Sequence, residues 1–265
     1  NSSGHCYLEF VQKDTGGNHL IAKARGTIWS NIFKMLKPYF EQETGQQFAS
    51  GIKVLVQVSV EFHELYGYSL TVLDIDPTYT LGDMARRRRE IILRLEEEGV
   101  LTMNKELDMP LAPQRIAVIS SATAAGYGDF CDQLRNNPYG LSFQTKLFPA
   151  IMQGERVEES IISALESVYQ ELDEWDVVVL IRGGGATSDL SGFDTYNLAA
   201  NCAQFPLPIV TGIGHERDET VLDIVAHTRV KTPTAAAEYL IGRLYETALR
   251  LEDYATRVVN KVEER

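Results

Sequence analysis

Cysteine is scarce in this chain: Cys6, Cys131 and Cys202 are the only three in 265 residues, they stand far apart, and no CxxC pair occurs. A disulfide framework or a cysteine-rich zinc site is therefore excluded, and the three thiols are expected to pack as small hydrophobes. No uninterrupted apolar run approaches the roughly 18 residues of a membrane span. The opening Asn-Ser-Ser-Gly-His has neither the n-region nor the h-region of a signal peptide, so a cytoplasmic location is expected. Basic charge is also short, with 25 Lys and Arg against 37 Asp and Glu and a net charge of −12. Non-specific nucleic-acid affinity comes mainly from Lys and Arg neutralising phosphates, so a generic polyanion binder is disfavoured and any phosphate chemistry must be local. No Gly-Lys-Ser/Thr follows the chain's glycine-rich loop, which argues against nucleoside triphosphate hydrolysis.

At 44% hydrophobic the chain can bury a sizeable core, and its length suits two domains better than one. Residues 1–80 read as β-rich with one helix. Cys6, Leu8 and Phe10 alternate with His5, Tyr7 and Glu9, Leu20, Ala22 and Ala24 alternate with Ile21, Lys23 and Arg25, and Val54, Val56, Val58, Val60 and Phe62 form a longer period-two stripe. An apolar, helix-like stretch over 28–40 separates the hairpins. Strand, strand, helix, strand, strand is the order of an OB-fold barrel without its first strand, which leaves upstream sequence expected.

Residues 81–113 read as a connecting helix and linker. Within them Arg86-Arg87-Arg88-Arg89 is first a solvated helix face, with a phosphate-tracking patch as the alternative. Four strand-then-helix units follow over 114–231, with strands at 115–120, 141–149, 177–181 and 208–213. This spacing predicts a Rossmann-like parallel α/β sheet, covered on both faces. Thr232 and Pro233 look like the N-cap and first position of a closing helix over 232–265. Along it Leu244, Ala248, Leu251, Ala255, Val258 and Val262 are spaced alternately four and three, a coiled-coil seam. The alternative is an amphipathic helix folded back on the sheet.

Two corners of the α/β segment carry the chemistry. One strand runs directly into Arg182-Gly183-Gly184-Gly185, and another into Gly212-Ile213-Gly214-His215-Glu216-Arg217-Asp218. Strand ends followed by helix starts are where open α/β sheets bind ligands. Glycines let backbone N–H groups approach an anion, and the arginine adds a planar fork of donors for phosphate oxygens. Tight helix-on-strand packing explains such a glycine turn equally well. His215, flanked by glycines at the mouth of the sheet, suits general acid or base work near neutral pH. Asp218, three residues on, could orient its ring or simply complement a helix dipole. Asp129 follows the first strand of the domain through Ser121-Ala122-Thr123-Ala124-Ala125-Gly126-Tyr127-Gly128, another loop of small residues at the same edge.

The runs Arg115-Ile-Ala-Val-Ile-Ser, Arg182-Gly-Gly-Gly, Gly214-His215-Glu216-x-Asp218 and Thr232-Pro-Thr-Ala-Ala-Ala-Glu238, after a start containing Gly4-His5-x-Tyr7, resemble the large subunit of bacterial exodeoxyribonuclease VII across nearly the whole chain. The resemblance implies an OB-fold that binds single-stranded DNA and an α/β domain that hydrolyses phosphodiester bonds from either end. It also implies a long C-terminal helix carrying copies of a small helical subunit. It maps essential catalytic positions onto Asp129, Arg182, His215 and Asp218, and it implies that no metal is strictly required, with Mg2+ as an admissible aid. Ala186-Thr187-Ser188-Asp189 and Phe193-Asp194 depart from the family's usual pattern, so neither Asp189 nor Asp194 is given a role. For DNA contact the residues suggest Tyr7, Lys23, Arg25 and Tyr66, although ordinary strand packing would also account for each aromatic. The seam also admits self-association. Two other readings stay open from the residues alone: a non-catalytic single-strand-binding scaffold, and a phosphate-ester or nucleotide-dependent small-molecule enzyme.

Overall fold

The computed structural model describes residues 4–13, 20–64, 67–183, 190–214 and 219–263. The chain divides into two compact units, Asn1–Arg87 and Arg88–Arg265. The division falls inside a helix, α2, which spans Pro77–Glu97 and so begins before the expected start at 81. Among the described residues no helix is long and apolar enough to cross a membrane.

The first unit is a mixed sheet. Its strands are β1 (Cys6–Lys13), β2 (Leu20–Ile28), β3 (Leu55–His63) and β4 (Gly67–Asp76), in the order β1-β2-β4-β3. Helix α1 (Ser30–Thr44) lies between β2 and β3 in sequence. The outer pairs are antiparallel, and β2 and β4 pair in parallel through Gly26 and Thr27. That parallel closure is the joint expected of an OB barrel.

The Gly4-His5 pair turns out to serve the start of α1. The helix has no side-chain cap at Trp29, and instead His5 Nδ1 accepts the Ser30 backbone N–H at 3.0 Å while its ring lies edge-on to Trp29. Gly4 takes a left-handed φ of 73°, and a Cβ there would come within 3.3 Å of Ser30 Oγ. The valine stripe of β3 is only partly covered. Its far end, Val60 and Phe62, stands exposed, with Phe62 against Tyr68 of β4.

The second unit is a five-stranded parallel sheet built from β5 (Arg115–Ser120), β6 (Gln144–Pro149), β7 (Val177–Ile181), β8 (Ile209–Gly212) and β9 (Thr228–Arg229), in the order β6-β5-β7-β8-β9. The two-residue β9 was not legible as a strand because it is too short for any periodicity. Helices α3 (Ala125–Arg135), α4 (Val157–Tyr169), α5 (Tyr196–Ala203) and α6 (Val221–Val225) connect the strands.

β5 and β7 show why these strands read as continuous apolar runs. Ala117, Ile119, Val178 and Leu180 enter one core with α4 and α5, while Ile116, Val118, Val177, Val179 and Ile181 enter the other with α3 and the closing helix α7 (Pro233–Glu263). A sheet buried on both faces has no polar face to alternate with.

The first half of α7 packs on the sheet, as the amphipathic reading of its sequence expects. Thr232 caps it, accepting the Ala235 N–H, and Ala236, Ala237, Leu240 and Ile241 are buried against the sheet. Beyond that the seam residues Leu251, Val258 and Val262 are exposed. Asn104, fully buried, staples the opposite edge of the sheet. Its Nδ2 donates to the carbonyls of Phe205 and Leu207, and its Oδ1 accepts the N–H groups of Ile209 and His227.

Candidate active site

The chain leaves β5, makes β6 on one side, and returns to make β7 on the other, so the strand order reverses between β5 and β7. At such a switch point the two following loops diverge and leave a crevice beyond the strand ends. A cleft of about 550 Å³ occupies that place, lined from the β5 corner by Ser121, Thr123 and Ala124 and from the β7 corner by Arg182 and Gly183. The β6 corner completes it with Ile151, Met152 and Gln153. That third wall was missed in the sequence, where nothing after Phe148-Pro149 carries a glycine run or a reactive side chain to flag it.

Arg182 follows β7 directly and is only 4% exposed, which holds its guanidinium away from bulk water. Its backbone N–H donates to Gly212 O at the end of β8, at 3.3 Å, so the corner extends the sheet rather than departing from it. α3 begins beside it with Ala124 as N-cap, which offers no side-chain acceptor to the helix's first N–H groups. Ala124 and Ala125 line the cleft. An uncapped helix start carries partial positive charge and unused donors, and with a buried arginine and the Ser121 and Thr123 hydroxyls it makes a preorganised pocket for an anion.

The small residues are required by packing. A Cβ on Gly126 would lie 2.7 Å from Pro233 Cγ and 3.0 Å from Gly183 Cα, and one on Gly183 would lie 3.0 Å from Ala124 Cβ. A Cβ on Gly212 would approach the Thr232 carbonyl to 3.0 Å. The corners after β5, β7 and β8 and the start of α7 are thus pressed together at one edge of the sheet. For Gly183, close packing accounts for the glycine in full.

Asp129 lies on α3, one turn beyond Gly126, with its side chain exposed. The fold therefore brings Arg182, Gly183 and the helix bearing Asp129 to one edge. His215 and Asp218, together with Gly184, Gly185, Glu216 and Asp189, lie outside the described residues, as does Tyr66 of the first unit.

In the first unit Tyr7 is 61% exposed, and it shares a sheet face with Lys23 and Arg25, because Tyr7, Glu9 and Val11 register with Thr27, Arg25 and Lys23. Lys23 reaches Glu9 across the strands at 3.3 Å. Tyr7 is therefore not a core residue, and strand packing does not use up its ring.

The arginine run is largely occupied. Arg86 and Arg87 pair with Asp83, and Arg88 reaches Asp194 Oδ2 through both Nε and Nη2, at 3.1 and 2.5 Å. Asp194 Oδ1 accepts the Val221 N–H at 2.7 Å, so this residue ties α2 to the start of α6. Burial pushes the Asp194 carboxyl upward, against the opposing pull of Arg88. Cys202 is buried and its thiol is raised by that burial, while Cys6 and Cys131 are half-buried. Among the described residues no three His, Cys, Asp or Glu side chains gather as a metal-ligand set.

Comparison with known proteins adds to this geometry. Residues 100–265 match the family model described as exonuclease VII, large subunit, and residues 1–76 match the OB-fold nucleic acid binding domain. An exodeoxyribonuclease 7 large subunit from Deinococcus radiodurans is 36% identical over 260 residues, covering 96% of this chain and 62% of the relative. Those from Nostoc sp. and Stenotrophomonas maltophilia are 34% and 33% identical, covering 90% and 97% of this chain and 55% and 54% of the relatives. The chain spans about half to three fifths of the length of these curated relatives.

Proposed function

Because the chain belongs to the exonuclease VII large-subunit family, we propose that it forms the catalytic part of a nuclease that hydrolyses the phosphodiester bonds of single-stranded DNA from either end and leaves 5′-phosphorylated products. The observation that carries the reading is the buried Arg182 in the switch-point cleft, beside the uncapped start of α3. A phosphodiester placed there would have its developing charge met by a guanidinium fork and backbone N–H donors fixed before reaction, which is where electrostatic catalysis gains most.

His215 is assigned the proton transfers, activating water or protonating the leaving oxygen, with Asp218 or Asp129 orienting its ring. The first unit is assigned the delivery of substrate, with Tyr7 as a stacking platform and Lys23 and Arg25 beside it for the phosphates, and with Tyr66 in the same role. The exposed stripe of α7 supports docking of the small helical subunits that the family resemblance implies. Charge stabilisation by Arg182 makes a metal unnecessary in this scheme, and Mg2+ would act only as an aid.

The test is His215→Ala assayed on end-labelled single-stranded DNA, with wild type run in parallel with and without chelator. Wild type should release oligonucleotides in both conditions, and the variant should retain the strand without cutting it. Turnover by the variant would remove His215 from the mechanism, and cleavage that needs Mg2+ would overturn the metal-free scheme. Wild-type retention without cleavage would leave a binding scaffold, and neither retention nor cleavage would point to a small-molecule enzyme.

A further inference from the structure

Asp223 is a buried carboxylate to which no role has yet been given. It is 4% exposed, and its neighbours Thr211 and Thr220 are fully buried. Thr211, the third of the four residues of β8, donates its hydroxyl to Asp223 Oδ1 at 2.6 Å. Thr220, the N-cap of α6, donates its backbone N–H and its hydroxyl to Asp223 Oδ2 at 3.0 and 2.9 Å. The Asp223 N–H donates back to the same hydroxyl at 3.1 Å, closing a capping box.

A capping box satisfies a helix start without needing a second partner on a distant strand. Here the free oxygen of the carboxylate reaches across the corner to the end of β8. Residues 212–219, which carry His215 and Asp218, are therefore bracketed by two threonines held on one acid. Arg229 of β9 encloses the same acid from the sheet edge. Its Nε stands 4.0 Å from Asp223 Oδ2, and its Nη1 donates to Glu219 Oε1 at 3.1 Å, next to Asp218 in the chain. Thr211 and Arg229 are direct partners in the β8–β9 ladder, so the cluster is fixed on both sides by sheet backbone.

We infer that Asp223 is a positioning residue for the proposed hydrolysis: by clasping Thr211 and Thr220 it ties together the residues on either side of 212–219 in the chain, the stretch that carries His215 and Asp218 in sequence. This rests on the reading of His215 given above. Geometry lost by an ångström at a reacting group costs about 100-fold in rate, whereas binding of the strand on the first unit does not pass through this acid.

The experiment compares Asp223→Asn and Thr211→Val in the full chain with wild type and with Asn104→Ala, which weakens the other edge of the same sheet away from the cleft. Each is assayed on end-labelled single-stranded DNA at a temperature where circular dichroism shows it folded. The clasp predicts a kcat at least tenfold below wild type for Asp223→Asn and Thr211→Val, with KM within twofold. Asn104→Ala should melt earlier yet keep its kcat. Thr211→Val suits a strand and preserves volume, so it reports even if Asp223→Asn does not fold. Wild-type kcat in either folded clasp variant, or an equal fall in Asn104→Ala, would overturn the inference and reduce Asp223 to a stabilising residue. Absence of cleavage by wild type would instead overturn the nuclease reading.

Discussion

At the scale of single residues, the candidate edge of the sheet is defined as much by missing side chains as by charged ones. Gly126, Gly183 and Gly212 each stand where a Cβ would press on a proline ring, on the Ala124 methyl or on backbone, and these contacts draw three corners and the start of α7 around Arg182. Gly126→Ala should accordingly destabilise the second unit by about 1–3 kcal/mol, the usual cost of overpacking, despite alanine's better helix propensity. Urea unfolding followed by circular dichroism would measure it. A variant as stable as wild type would show that α3 can shift away from the Arg182 corner. Polar residues follow the same economy of space. Asn104 makes four hydrogen bonds from a fully buried site, and Asp194 trades the cost of burial against Arg88 and the Val221 N–H.

At the scale of elements, α7 is one continuous helix with two surroundings. Its first turns bury Ala236, Ala237, Leu240 and Ile241 against β5, β7 and α3, whereas Leu251 is 63% exposed. Leu240→Ala should therefore cost about 2–5 kcal/mol as a buried truncation. Leu251→Ala should stay within about 0.5 kcal/mol in the isolated chain, both read from denaturant midpoints. A large loss for Leu251→Ala would mean that the exposed half is already covered in solution, by another copy of the chain or by a partner helix. Heptad spacing states only that a helix has an apolar seam. Whether the seam meets the protein's own sheet or another helix depends on where the sheet ends.

At the scale of the whole molecule, charge limits how DNA can be held. The net charge is −12, Arg86 and Arg87 pair with Asp83, Arg88 pairs with Asp194, and Lys23 reaches Glu9, so these cations are shared with carboxylates. On the proposed reading, binding rests on stacking with about two phosphate contacts. The plot of log affinity against log salt for single-stranded DNA should then have a slope of roughly −1 to −2, from about 0.7 per neutralised phosphate. Fluorescence anisotropy of a labelled oligonucleotide between low and moderate salt would give it. A slope steeper than about −4 would require about six phosphate contacts, counted from the same per-phosphate factor, and would overturn the reading that stacking dominates.

Much of this was settled by sequence alone. Period-two alternation placed β1, β2 and β3 of the first unit, unbroken apolar runs marked β5 and β7 to the residue, and Thr232-Pro233 marked the start of α7, because each pattern follows from local geometry and from which faces must leave water. Arg182 was visible because a charge directly after a buried strand has few other reasons to be there. Other features needed the tertiary structure. The two-residue β9, the third wall of the cleft after β6, the capping role of His5 and the clasp of Asp223 on Thr211 all depend on partners distant in the chain. The Thr220-x-x-Asp223 pattern could have announced a helix cap, but not that the same acid reaches a neighbouring strand. Local periodicity records which side of an element is buried. What lies against that side is decided only when the strands take their order in the sheet.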